Sequence, residues 1–117
     1  MSKIKIIAFT HKTTDMNNIG KLHLEETTLQ GRLEFLKQVS GVDELMYLST
    51  CNRVEFILSS NKSINNTFLK KFFAAFNPAW TELEVNQVIE NAQVFEGDEA
   101  FRHLFSVASS IDSLVVG

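Results

Sequence analysis

The 117-residue chain has one cysteine, one proline, five glycines and no excess of positive charge, and each shortage excludes something. A single cysteine leaves no internal disulfide framework and fits a reducing, cytoplasmic setting. No apolar run approaches the ~20 residues that cross a bilayer as a helix. The N-terminal MSKIKIIAF is too short and too alternating for a signal peptide. The glycines stand scattered at 20, 31, 41, 97 and 117, so no Gly-rich turn for a dinucleotide phosphate is encoded. The formal net charge of −3 argues against a domain that grips nucleic acid mainly through phosphate charge. It leaves open the reading of a nucleic-acid end through a few local contacts. No internal repeat or low-complexity tract occurs. The chain stops at SLVVG without capping or tail-like residues, and is expected to be the N-terminal piece of a longer protein.

What is present reads as one globular domain over 1–117 with one modest core. KIKIIAF (3–9) is β-branched and partly alternating, a first strand. THKTTDMNN follows as a polar loop. Over 25–39, Leu29, Leu33, Leu36 and Val39 recur at helical spacing, and Gly41 lies just past the end. ELMYLST and VEFILSS are two further strands joined by TCNR, a β-hairpin. The rows Phe68/Phe72/Phe76 and Leu69/Phe73 mark a helix lying on a sheet as core, not a stacking platform, and Asn77-Pro78 stops it. Thr81 with Glu84 is a capping box for a helix with the row Val85, Val88, Ile89, Ala92. QVFE reads as a short fourth strand. Asp98 is expected to cap a last helix whose core stripe is Phe101, Leu104, Phe105 and Ala108. The order predicts an α+β fold with a ferredoxin-like split-βαβ (βαββαβ) sheet, helices packed on one face, and an additional C-terminal helix. In that fold strand three lies between strands one and two. The loop after strand one and the hairpin turn then emerge at the same end of the sheet, and the last helix returns toward it.

The candidate chemistry sits at that end. Cys51 occupies the hairpin turn in LSTCNRVEF (48–56), beside Thr50, Asn52 and Arg53. A thiolate is the strongest nucleophile available at neutral pH, and a neighbouring arginine favours it. The bland reading is a turn cysteine without a role. The C-x5-R spacing of thiol phosphatases is absent, since position 57 is Ile57, and no Cys/His cluster has zinc spacing. His103 lies opposite Phe101 on the helical wheel, so it is expected off the core face, toward solvent or a cleft. His11 and Lys12 open the first loop, where a basic pair is usually just solvated. Lys62, Lys70 and Lys71 read as solubility.

Longer motifs add a resemblance. LSTCNRVEF resembles the STCNRTE hairpin of glutamyl-tRNA reductase. HLFSVASSIDSLVVG (103–117) is similar to that family's H-L-F-x-V-A-S-G-L-D-S-L-V-x-G segment. THKTTD (10–15) is similar to its S/N-H-K-T-A-P loop, and GVDELMYLSTCNR keeps its lead-in. The likeness runs the length of the chain in order. The departures are Ser110 for a family glycine, Thr14-Asp15 for Ala-Pro, and Val54 for the usual threonine.

The resemblance implies that Cys51 attacks the ester joining glutamate to the tRNA 3′ end, giving a glutamyl thioester. NADPH, held by an absent downstream domain, then reduces it to glutamate-1-semialdehyde, the first step of tetrapyrrole (porphyrin) synthesis. It implies a substrate-binding set of Thr50, Cys51, Asn52, Arg53 and Ser113, and His103 as a residue important for activity. It also implies glutamyl-tRNA as the substrate partner, a homodimer formed through a missing C-terminal domain, and no membrane. A reading from a different class stays open beside it. Ferredoxin-like domains also serve as non-catalytic ligand-binding or docking modules. A third, weaker reading is a cysteine hydrolase.

Overall fold

The structure is a computed structural model that describes residues 3–109 and, as strand pairing only, 115–116. Ser110 and Ser113 lie outside the described residues. Strands β1 (Lys3–Thr10), β2 (Glu44–Thr50), β3 (Arg53–Ser60), β4 (Gln93–Glu96) and the two-residue β5 (Val115–Val116) form one sheet in the order β4-β1-β3-β2-β5. Every pairing is antiparallel, so β3 separates β1 from β2, and those two run parallel, as the split-βαβ order expects. Five helices complete the chain: α1 (Met16–Gly20), α2 (Leu29–Ser40), α3 (Asn66–Phe76), α4 (Glu82–Asn91) and α5 (Asp98–Ala108).

The period of two along each strand divides the sheet into two faces. Ile7, Phe9, Leu45, Tyr47, Val54, Phe56 and Leu58 point to one face, where Leu33 and Leu36 of α2, the phenylalanines of α3 and Val85 of α4 cover them. Phe56 is the hub. Its ring meets Tyr47, Phe72, Phe73 and Phe76 with centroids 5.4, 5.1, 5.8 and 5.7 Å away, mostly edge to face. The Tyr47 hydroxyl donates to the Leu22 carbonyl at 2.8 Å and accepts from the Leu24 amide at 3.1 Å. Burial pushes that phenol above its ordinary titration range. The second face carries Ile6, Ala8 and Ile57, and α5 lies on it through Ala100. The helices expected together on one face are there, and the additional C-terminal helix takes the other.

The ends of the helices follow local chemistry. Asn65 and Thr81 accept from the amides of Phe68 and Glu84, and the capping box at Thr81 is complete. Gly41 ends α2 at φ 71°, a left-handed position that a β-carbon would strain. Three expectations are corrected. The polar loop after β1 contains α1, because Asp15 caps it through the Asn18 amide at 2.8 Å. Helix α2 begins at Leu29, since 25–28 form turns in which the Thr28 amide bonds to the Glu25 carbonyl. At α5 the N-cap is Gly97 at φ 62°, and Asp98 is the first helical residue.

The hub sets the stability of the first face. Phe56→Ala removes a ring with four aromatic neighbours and should cost about 3–5 kcal/mol, read as a lower urea midpoint with an unchanged slope. A loss below about 1 kcal/mol would mean that the cluster repacks freely.

Candidate functional site at the hairpin end

The face covered by α5 is not wholly apolar. Strand alternation places Arg53, Glu55 and Ile57 of β3 on it in succession. Thr10 and Thr50 flank Arg53 in register, and Ala8 and Leu48 flank Glu55. Glu55 is therefore a carboxylate in an interior strand, roofed by a helix, with 0% exposure. An unpaired carboxylate there is too costly to stay ionised, so its partners matter.

It has two. The Arg53 guanidinium brings Nη1 to 3.2 Å from Oε2, and the His103 imidazole meets Oε1 through Nε2. The arginine contact is charge against charge, for no donor is aligned on Oε2 as a hydrogen bond. An ionised carboxylate can only accept, so Nε2 of His103 donates and Nδ1 is left for other use. The imidazole is fixed from the side as well: it stacks on Phe95 with centroids 4.2 Å apart and planes 12° from parallel. An open cleft bordered by Phe95, Glu99, Arg102 and His103 lies beside it.

This overturns the expected phase of α5. Phe101 and Phe105 were expected in the core but are 47% and 73% exposed, and Ala108 is exposed too. His103, expected off the core face toward solvent or a cleft, points toward the sheet with its side chain 16% exposed and borders the open cleft. The inward row is Ala100, His103, Leu104 and Val107. Two stripes at helical spacing overlap at Leu104. The sheet chooses between them, because Ala100 fits against Ile6, Ala8 and Ile57 and because Glu55 needs a donor above it.

The hairpin turn stands just beyond Arg53. Thr50 and Arg53 are its closing pair, and Cys51 and Asn52 are its two exposed residues. Tight two-residue hairpins favour left-handed backbone and hence glycine. Among the described residues no non-glycine has positive φ, so this turn is made without that conformation. Side chain and loop hold it instead. Thr50 Oγ1 donates to Asn52 Oδ1 at 3.2 Å, and the His11 amide donates to the Asn52 carbonyl at 3.2 Å. The loop after β1 thus meets the hairpin at one end of the sheet, as expected.

Thr50, Cys51, Asn52 and Arg53 are accordingly adjacent, and His103 joins them through Glu55. Ser113 falls outside the described residues. Glu55 is the group that the sequence reading passed over. Its signal was a lone charge in the apolar strand VEFIL, two residues from Arg53 and two from Ile57, on one face with both. Among the described residues, no three His, Cys, Asp or Glu side chains converge as a metal site would need. No helix there is long and apolar enough to cross a membrane.

Known proteins share this chain's pattern. The family described as "Glutamyl-tRNAGlu reductase, N-terminal domain" matches residues 7–117. A glutamyl-tRNA reductase of Campylobacter jejuni subsp. jejuni serotype O:2 is 41% identical over 114 residues, covering 95% of this chain and 25% of that protein. One from Syntrophobacter fumaroxidans is 36% identical over 118 residues, covering 100% and 25%. Among solved structures, the glutamyl-tRNA reductase from Methanopyrus kandleri superposes with a TM-score of 0.62 at 24% identity, over 97% of this chain and 24% of that one; it speaks to the fold alone. The chain spans about a quarter of the length of these curated relatives.

The clamp makes a stability prediction. Glu55→Ala strands Arg53 without its counter-charge and His103 without its acceptor, and should cost about 3–5 kcal/mol in chemical denaturation. Glu55→Gln keeps the shape and should cost less. Equal, small losses for both variants would mean that the carboxylate is not desolvated.

Proposed function

Because the chain belongs to the glutamyl-tRNA reductase N-terminal-domain family, we propose that it supplies the thiol and substrate-binding half of that reductase. The Cys51 thiolate attacks the carbonyl of the ester that joins glutamate to the tRNA 3′ end. A C–S bond forms, the ester C–O bond breaks, and the ribose oxygen leaves with a proton. The product on this chain is a glutamyl thioester.

The other residues position and neutralise. Arg53 offers a planar fork suited to the glutamate side-chain carboxylate, and the Glu55 contact leaves donors of that fork unused. His103, held through Nε2 by Glu55, is the histidine important for activity in this reading. Thr50, Asn52 and Ser113 complete the substrate-binding set. The observation that supports this reading is that the buried carboxylate of Glu55 holds both His103 and Arg53, the residue that closes the turn bearing Cys51. A turn carried by two paired strands keeps the nucleophile exposed and in place.

NADPH, the reductant implied by the family resemblance, does not fit the residues present. The turn after β1 (10–15) has no glycine, and the sheet is antiparallel where a dinucleotide fold has parallel strands. No hydride step is assigned to these residues. In the proposal, NADPH binding, release of glutamate-1-semialdehyde and homodimerisation belong to the remainder of a protein as long as its relatives. The setting is cytoplasmic, where a lone thiol stays reduced.

Incubation of the chain with glutamyl-tRNA, followed by intact-mass analysis, tests the reading. One glutamyl adduct should form on Cys51, be absent in Cys51→Ser, and leave NADPH absorbance flat. An adduct that persists in Cys51→Ser would sink the nucleophile assignment. An inert thiol and no adduct would favour the docking-module reading.

A further inference from the structure

A second polar cleft lies on the opposite face of the sheet from α5, and the chemistry above does not use it. It gathers two cationic side chains, Lys21 and Arg32, with His23, Thr28 and Asn77 as further hydrogen-bonding groups and Glu25 as its one carboxylate. Arg32 Nε is shut off from solvent and has no acceptor. A donor left in that condition is normally satisfied by a ligand or ordered water. Among the described residues, neither Lys21 nor Arg32 has an ion-pair partner, although the chain as a whole is acidic. The positive charge here is therefore local and unspent.

The cleft is tied to the nucleophile by two contacts. His23 Nδ1 lies 2.7 Å from Ser49 Oγ, one residue before Thr50 and two before Cys51. The Tyr47 hydroxyl bonds to Leu22 and Leu24, on either side of His23, and so pins the segment that carries Lys21 and His23 to β2. A guanidinium fork beside an ammonium and neutral donors is the donor set for phosphate oxygens. We propose that this cleft holds a backbone phosphate of the polynucleotide whose 3′ end delivers the ester to Cys51. The inference rests on the acyl-tRNA reading. It agrees with the acidic composition, because one anchored phosphate needs only a few local charges.

The test uses the intact chain and a 5′-labelled single-stranded RNA ending in CCA, with binding read by fluorescence anisotropy across a salt series. Lys21→Gln and Arg32→Gln should each weaken binding severalfold and lower the log–log salt slope by about 0.7. Glu25→Gln should tighten it. Lys21 is exposed, so its variant separates a lost contact from lost folding. In parallel, the Arg32 Nε–H resonance should move with inorganic phosphate, and the RNA should compete for the same site. Phosphate that the RNA cannot displace would make this a free-anion site and overturn the proposal. An unchanged slope in both variants, or no measurable RNA binding by the wild-type chain, overturns it too. Cys51 acylation measured alongside keeps the two readings apart. Acylation with an unchanged slope sinks the cleft alone. A changed slope without acylation sinks the reductase reading and leaves the phosphate site standing.

Discussion

A buried carboxylate governs this structure. Glu55 sits in an interior strand at 0% exposure, and a charge so placed must find partners or destabilise the fold. Arg53 answers from the same strand and His103 from α5. Those two contacts fix the roll of α5 about its axis, because the helix must turn His103 downward. Ala100, Leu104 and Val107 follow His103 inward, and Phe101 and Phe105 are carried outward. The polar contact thus joins the seat of Ala100 in deciding a packing question that the more hydrophobic stripe would have settled the other way.

The two faces of the sheet divide the labour. One holds most of the buried apolar side chains and is locked by the ring cluster around Phe56. That face supplies most of the burial that makes the sheet rigid. The other can then carry a charged cluster without the sheet giving way beneath it. The hairpin continues both β2 and β3, so the turn with Cys51 inherits that rigidity while staying exposed. Where the first face reaches the hairpin end, the segment after α1 is bonded to Tyr47 and Ser49. Both faces therefore present fixed polar groups toward one turn, the α5 face through Arg53 and the other through the His23–Ser49 contact.

Much of this was legible in the sequence. Val85 beyond a Thr81/Glu84 capping box, the phenylalanine rows of α3 and the alternation in KIKIIAF each have a local cause, and local causes survive folding. The hairpin was legible because TCNR interrupts two β-rich runs. What was not legible depends on groups distant along the chain. Helix α5 carries two overlapping stripes, and the choice between them is made by the sheet, through the seat of Ala100 and through Glu55, 48 residues earlier than His103. Glu55 went unread even with β3 expected inside the sheet, because nothing local says that α5 roofs its face and brings His103 to it. The short α1 hides in a polar run because its one cap, Asp15, also suits a loop. Ser113 lies outside the described residues, so its part in the site rests on resemblance.

The central claim is that Glu55, Arg53 and His103 act as one unit beneath Cys51. A double-mutant cycle measures this most directly: single-turnover acylation of Cys51 by glutamyl-tRNA in the Glu55→Gln and His103→Asn proteins and in the double variant. If Glu55 works by holding His103, the second change should add little to the first, and the double variant should be about as slow as the slower single one. Losses that simply multiply would show that the two side chains act independently, and would contradict the account.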